Sequence, residues 1–270
     1  MQTFSRDGAA IAYRDTGTPS EAPEAPTVVF GHGLLFGGWM FDPQVTALSR
    51  RYRCVTIDWR GQGGTPRAES GYDMDSLTED VIALLAELGT GPVHYVGLSM
   101  GGFVGMRLAA RRPDLVRSLS LLSTSSERDS PDVDIESAKM AGMLWAFGTA
   151  PAREALARMA FGRSFRGRAE NAALIQDWFD RIDRADRHGI ACAMMGVIAR
   201  TPVTEELAHV TAPTLVVHGD DDQMPISCGQ AVASAIKDAR FHALCGSGHA
   251  CTLDQPAEVT RVLAEFLAEN

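Results

Sequence analysis

A serine flanked by glycines, G-L-S-M-G at 97–101, follows the apolar run V-H-Y-V and leads directly into G-F-V-G-M-R-L-A-A. A buried strand that turns this sharply into a helix holds its serine in strained backbone angles. Gly97 and Gly101 remove the Cβ atoms that would collide there. Ser99 is therefore the candidate nucleophile. The helix N-terminus beneath it favours developing negative charge, and the N–H of Met100 is placed to donate to an oxyanion.

A serine hydroxyl attacks a carbonyl only when a base takes its proton, and His249 in C-G-S-G-H-A, just past an expected strand, is the candidate base. Of the other histidines, His94 and His218 fall in expected strands, His188, His209 and His242 lack a glycine-flanked loop, and His32 belongs to a separate motif. The imidazole needs a carboxylate to orient it and to stabilise its protonated form. T-L-V-V-H-G-D-D-D-Q-M-P offers three. Asp222, three residues beyond Gly219, is the first choice, Asp221 the second and Asp220 the third. Two of the three are expected to face water, which limits their mutual repulsion. The strand after the nucleophile helix ends in L-L-S-T-S-S with no carboxylate before Glu127, which favours the later aspartate. F-G-H-G-L-L-F-G-G-W (30–39) supplies a glycine-bearing loop able to turn a second backbone N–H, that of Leu34, toward the substrate oxygen. His32 is expected to brace this loop, and D-W-R-G-Q-G-G-T (58–65) to form a structural turn.

These groups need a scaffold, and the sequence supplies an alternation of short β-branched runs and helical patterns, the sign of a mainly parallel sheet covered by helices. Strands are expected at 9–15, after the D-G turn at Asp7 and Gly8, and at 27–30, 52–57, 93–97, 119–122, 214–218 and 239–244, in a sheet of about eight. Leu77, Val81, Leu84, Leu85 and Leu88 recur at helical spacing and end at Gly89, a C-terminal cap. From about 124 to 206 the strand signal gives way to helix-compatible stretches such as M-A-G-M-L-W-A-F and A-L-I-Q-D-W-F-D-R-I. The expected organisation is a core of 1–123 and 207–270 with a helical cap inserted at 124–206. Trp145, Phe147, Trp178, Met194 and Met195 are candidates for the wall of an apolar substrate pocket. Arg158, Arg184 and Arg187 are candidates to hold a substrate carboxylate.

A formal net charge of −9 argues against nucleic-acid or anionic-membrane partners, both of which need a basic surface. A small molecule is the expected partner, and self-association into a homo-oligomer stays open. No signal-peptide pattern or membrane-length apolar run is present, so a cytoplasmic location is expected. The five cysteines are odd in number and contain no C-x-x-C pair, and are expected to be reduced and mostly buried. Neither H-E-x-x-H nor a nucleotide fingerprint occurs, so no metal or organic cofactor is implied.

In this order, H-G-L-L, D-W-R-G-Q-G-G-T, G-L-S-M-G-G, P-T-L-V-V-H-G-D-D-D and G-S-G-H resemble the α/β-hydrolase superfamily over nearly the whole chain. Gln62 stands where many of those relatives carry histidine. G-L-S-M-G-G-F-V-G with D-R-H-G-I-A-C-A-M-M-G-V-I-A-R-T-P-V-T-E-E-L looks like the 3-oxoadipate enol-lactonase and small carboxylesterase branch. That resemblance implies an α/β-hydrolase fold and hydrolysis of a small-molecule ester or lactone through a Ser-His-Asp triad. A serine at 99 argues against the dehalogenases and epoxide hydrolases of the same fold, which use a carboxylate nucleophile. Two other readings keep the same residues: a carbon–carbon bond hydrolase acting on a β-diketone-type substrate, and a ligand-binding receptor with negligible turnover.

Overall fold

The computed structural model describes all of residues 1–270. Its centre is an eight-stranded sheet in the order β1-β2-β4-β3-β5-β6-β7-β8. The strands are β1 (Gln2–Arg6), β2 (Ala9–Asp15), β3 (Thr27–Gly31), β4 (Arg53–Ile57), β5 (Val93–Leu98), β6 (Val116–Leu122), β7 (Thr214–Gly219) and β8 (Arg240–Leu244). β1 and β2 form an antiparallel hairpin turned at Asp7 and Gly8, and β2 runs antiparallel to β4. From β4 through β8 every pairing is parallel. The strand at 9–15 is thus where the sequence puts it. Its hairpin partner is the unpredicted β1, in which Phe4 alone is buried and the apolar pattern is correspondingly faint.

Side chains alternate across the sheet as a two-residue period demands. Val28 and Phe30, Val96 and Leu98, and Leu215 and Val217 enter one core cluster with α1 (Asp42–Leu48) and α11 (Pro256–Glu269). Val29, Tyr95, Leu119, Leu121 and Val216 enter the other with α2 (Met74–Leu88), α3 (Met100–Arg111) and α9 (Ile226–Ala235). Each fully buried Leu, Ile or Val contributes on the order of 1.5–3 kcal/mol. Because both faces are covered, the central strands are buried on both sides, and even their polar residues His94, Ser118 and Ser120 lie inside.

Between β6 and β7 the chain runs through five helices, α4 (Pro131–Phe147), α5 (Arg153–Ala160), α6 (Arg163–Arg166), α7 (Ala172–Arg184) and α8 (Arg187–Ile198). Leu144, Leu156, Trp178, Ile182 and Ile190 carry this segment into the same cluster as α1 and α11. After β8, the short α10 (Cys251–Asp254) precedes α11. No helix is long and apolar enough to cross a membrane. All five cysteines are free. Cys54 and Cys251 are buried, but Cys192 and Cys228 are half-buried and Cys245 is exposed, because the last lies on the loop after β8.

The tightest backbone approach lies where β3, β5 and α3 meet. A Cβ on Gly97 would run into the Gly101 carbonyl, and one on Gly101 into the Gly31 carbonyl. Main chain cannot swing aside as a side-chain tip can. Gly101→Ala is therefore expected to cost about 1–3 kcal/mol, the usual range for overpacking, and to lower the thermal unfolding midpoint by several degrees. An unchanged midpoint would contradict this packing.

Candidate active site

β5 ends at Leu98 and α3 begins at Met100, so Ser99 alone makes the turn. Its φ of 52° and ψ of −110° fall where non-glycine residues are rare. The strain is held by neighbours on all sides. Ser99 N–H donates to Leu122 O at 2.9 Å, Thr124 Oγ1 donates to Ser99 O at 3.0 Å, and Gly101 N–H donates to His32 O at 3.1 Å. Ser99 is 8% exposed. Its hydroxyl makes no hydrogen bond within the free protein. Catalytic contacts commonly tighten only when substrate is bound.

His249 follows β8 and Asp222 follows β7, so both stand on loops at the same C-terminal edge of the parallel sheet as Ser99. His249 Nδ1 lies 2.9 and 3.1 Å from the two Asp222 oxygens. A carboxylate can only accept, so Nδ1 carries the proton and Nε2 is left free as the basic nitrogen. The Asp222 side chain is 1% exposed. Burial pushes its carboxyl upward, but the charge and hydrogen bond of His249, with the Met224 N–H at 2.9 Å and the nearby His218, outweigh this and hold it below the usual carboxylate range. For His249 the balance is the mirror image: burial disfavours the imidazolium, and the Asp222 charge and hydrogen bond more than offset it, so its pKa is raised.

The three adjacent aspartates separate their charges by finding three different donors; Asp220 is exposed and the Asp221 side chain half-buried, whereas the Asp222 side chain is withdrawn from water. Asp220 accepts from Gly246 N–H at 2.5 Å. Asp221 takes the Arg163 N–H at 2.5 Å and its Nε at 2.9 Å, which fastens the start of α6 to the β7 loop. Asp222 alone faces His249. A fourth carboxylate, Asp254, accepts from Gly162 N–H at 2.8 Å and Gly248 N–H at 2.7 Å, so the residue beside His249 is tied to the loop before α6.

The loop after β3 is braced from within. Trp59 N–H donates to His32 Nε2 at 3.0 Å, so His32 Nδ1 must hold the ring proton and donates it to Gly33 O at 2.7 Å. Burial drives the His32 pKa down. With both nitrogens committed, the ring braces rather than exchanges protons, as the sequence reading expects. Asp58 supports the same loop by accepting from Gly38 N–H at 2.6 Å and Gly64 N–H at 2.7 Å. Leu34 N–H finds no acceptor in the chain. Met100 N–H, at the first position of α3, has no preceding turn to bond. Two backbone donors are thus left over, one directly after Ser99 and one directly after Gly33, whose α-carbon faces Ser99 Cβ, and unpaired amides of this kind are able to stabilise negative charge on a carbonyl oxygen.

The aromatic and methionine candidates are not gathered into one wall. Trp145 is 58% and Phe147 69% exposed at the end of α4, and Met195 is also exposed. Trp178 and Met194 are buried in the core. Arg158 pairs with Glu154 on an open helix face, Arg184 lies 3.9 Å from Asp177, and Arg187 donates to Ala146 O. A cavity of about 330 Å3 opens between α7 and the β3 loop, with Leu35, Phe36, Trp39, Arg181, Ile182 and Ile190 among its walls; Ser99, Asp222 and His249 do not line it. No cluster of His, Cys, Asp or Glu is grouped to hold a metal ion.

Gln62, which stands out in the sequence only as a replacement for histidine, takes no role there beyond its turn. It is 1% exposed, with Oε1 accepting from Leu35 N–H at 2.7 Å and Nε2 lying 3.6 Å from Met100 Sδ. Its signal was a lone amide inside a glycine-rich turn, at the position where many relatives place histidine.

Known proteins match the chain along most of its length. RutD of Variovorax paradoxus (strain S110), a protein named for carbamate hydrolysis, is 31% identical over 252 residues, 91% of this chain and 92% of that protein. The enol-lactonase from Burkholderia xenovorans LB400 superposes with a TM-score of 0.89 at 26% identity, covering 98% of this chain and 99% of that one. A thermophilic esterase from Thermogutta terrifontis superposes with a TM-score of 0.87 at 28% identity, covering 99% and 97%. Since the alpha/beta hydrolase family model matches residues 28–262 and the sheet has the strand order described above, the chain belongs to the alpha/beta hydrolase family.

Proposed function

We propose that the chain hydrolyses a small-molecule carboxylic ester or lactone through an acyl-enzyme on Ser99. The observation that carries this reading is the strained serine at the β5–α3 turn, set at the same sheet edge as an imidazole already oriented by a buried carboxylate. Ser99 Oγ attacks the carbonyl carbon while its proton passes to His249 Nε2. The oxyanion takes hydrogen bonds from Leu34 and Met100 N–H. As the tetrahedral species collapses, the carbon–oxygen bond to the leaving group breaks and the departing alkoxide takes the proton from His249. Water then adds to the acyl carbon, again with His249 as base, and releases the acid and the free serine. Asp222 keeps Nδ1 protonated and offsets the transient positive charge. The segment 124–206 serves as the cap that admits substrate. The names of the enol-lactonase and esterase neighbours support ester-type bonds, and that of RutD makes carbamates a necessary comparison.

Turnover of p-nitrophenyl acetate should be lost in Ser99→Ala, and retention of wild-type kcat would end this mechanism. A parallel panel of aryl esters, lactones, β-diketones and carbamates then ranks the substrate classes by kcat/KM. Esters or lactones are expected to lead, whereas a leading β-diketone would mark carbon–carbon cleavage.

Asp222→Asn should lower kcat by roughly three to four orders of magnitude, as in other triads whose acid is neutralised. Asp221→Asn should leave kcat within a few-fold of wild type, because that carboxylate faces Arg163. The reverse ranking would reassign the acid.

Catalysis requires neutral His249, whose pKa is raised by Asp222. The acid limb of kcat/KM should therefore rise through an apparent pKa above the ordinary histidine value of about 6.5. A limb below that value would contradict the pairing.

A further inference from the structure

Gly33, Leu34, Leu35 and Phe36 form a tight turn closed by Phe36 N–H to Gly33 O at 3.2 Å. Leu35, its third residue, has a φ of +67°. Turns with a positive φ at this position are of the type that takes glycine there, whereas a leucine is steered toward the alternative turn in which the peptide between the second and third residues is flipped. The left-handed region costs a side-chain-bearing residue on the order of 1–2 kcal/mol. Something outside the turn must therefore hold it.

Two side chains do so, from opposite ends of the sequence. Gln62 Oε1 accepts the N–H of Leu35, the donor that a flip would turn away. Trp178 Nε1 donates to Leu35 O at 2.9 Å. Trp178 is completely buried and its ring is fixed by Phe36, stacked at 5.2 Å, and by Phe161, edge-on at 5.2 Å, so the indole N–H has little freedom to aim elsewhere. Within the turn, Gly33 O is held by His32 Nδ1 and by Phe36 N–H. The peptide is planar and trans, so Leu34 N–H must point opposite to that carbonyl. Leu35 O and Phe36 N–H share one planar peptide, so Trp178, by holding Leu35 O, aims Phe36 N–H at Gly33 O and with it the Gly33–Leu34 peptide that carries the unpaired Leu34 N–H, while Gln62 fixes the Leu34–Leu35 peptide between them.

We propose that Gln62 and Trp178 are positioning residues for the oxyanion hole, which they aim by clamping Leu35 from both sides, and that the α7 helix is through Trp178 a working part of the chemical step. This rests on the acyl-enzyme reading given above. Trp178 would then act on the rate of acylation rather than as a pocket wall, and Gln62 would couple both halves of the hole through its contacts with Leu35 and Met100.

The test is a steady-state kinetic comparison of Trp178→Phe, Gln62→Leu and the double variant on p-nitrophenyl acetate, with Gln62→His as the conservative replacement. Trp178→Phe deletes the N–H together with part of the buried indole ring, so its thermal unfolding midpoint is measured beside the kinetics to separate lost packing from the lost hydrogen bond. Each single variant should lose about tenfold in kcat, less than the 10²–10³ of deleting an oxyanion donor outright, with KM within about twofold of wild type. The double variant should lose less than the product of the two, because both act through Leu35. Gln62→His should recover most of the activity, since a ring nitrogen can accept from Leu35 N–H. Unchanged kcat in Trp178→Phe, a loss carried by KM alone, or multiplicative losses in the double variant would each overturn the clamp. If Gln62→Leu does not fold, Trp178→Phe and Gln62→His decide the matter. Survival of wild-type turnover in Ser99→Ala would instead remove the reading beneath it, so the two failures are distinguishable.

Discussion

The meeting of three backbones at Gly31, Gly97 and Gly101 is the constraint from which the rest of the site follows. β5 can pass straight into α3 through one strained residue only because neither Gly97 nor Gly101 carries a Cβ that would meet main chain. That approach lets Gly101 N–H reach His32 O, which joins the nucleophile turn to the loop carrying Leu34. It also sets the first free amide of α3 beside Ser99. The two core clusters, one on each face of the sheet, supply the burial that offsets strain at φ 52°.

Around this centre, four carboxylates each take their own donors. Asp222 holds His249, Asp221 holds the start of α6, and Asp220 and Asp254 hold the loop that presents His249. Gln62 and Trp178 meet at one peptide residue, Leu35. The helical segment between β6 and β7 thus reaches the loop of Asp222, the loop of His249 and the β3 loop through a few specific hydrogen bonds. A shift of α6 or α7 would be felt at the loops that carry Asp222, His249 and Leu34.

Local physics makes much of this legible in sequence. A strand-turn-helix around Ser99 is written in seven or so residues, and the glycine cap of α2 at Gly89, with φ of 59°, is read from its helical spacing. His249 and Asp222 are legible because each lies just past a strand in a loop. Long-range partners are not. Nothing near Trp178 in sequence announces that its N–H reaches Leu35, 143 residues earlier, so an aromatic stripe reads equally well as pocket or core. Three consecutive aspartates suggest repulsion relieved by water, and only the fold reveals three separate donors. β1, at the sheet edge with one buried side chain, leaves too weak an alternation to be seen.

Covalent capture of the nucleophile tests the central claim most directly. After treatment with a fluorophosphonate, peptide mapping by mass spectrometry should find one adduct per chain, on Ser99, and its rate of formation should follow the titration of His249. An adduct on another residue, or ester turnover that proceeds while Ser99 stays unmodified, would contradict the account.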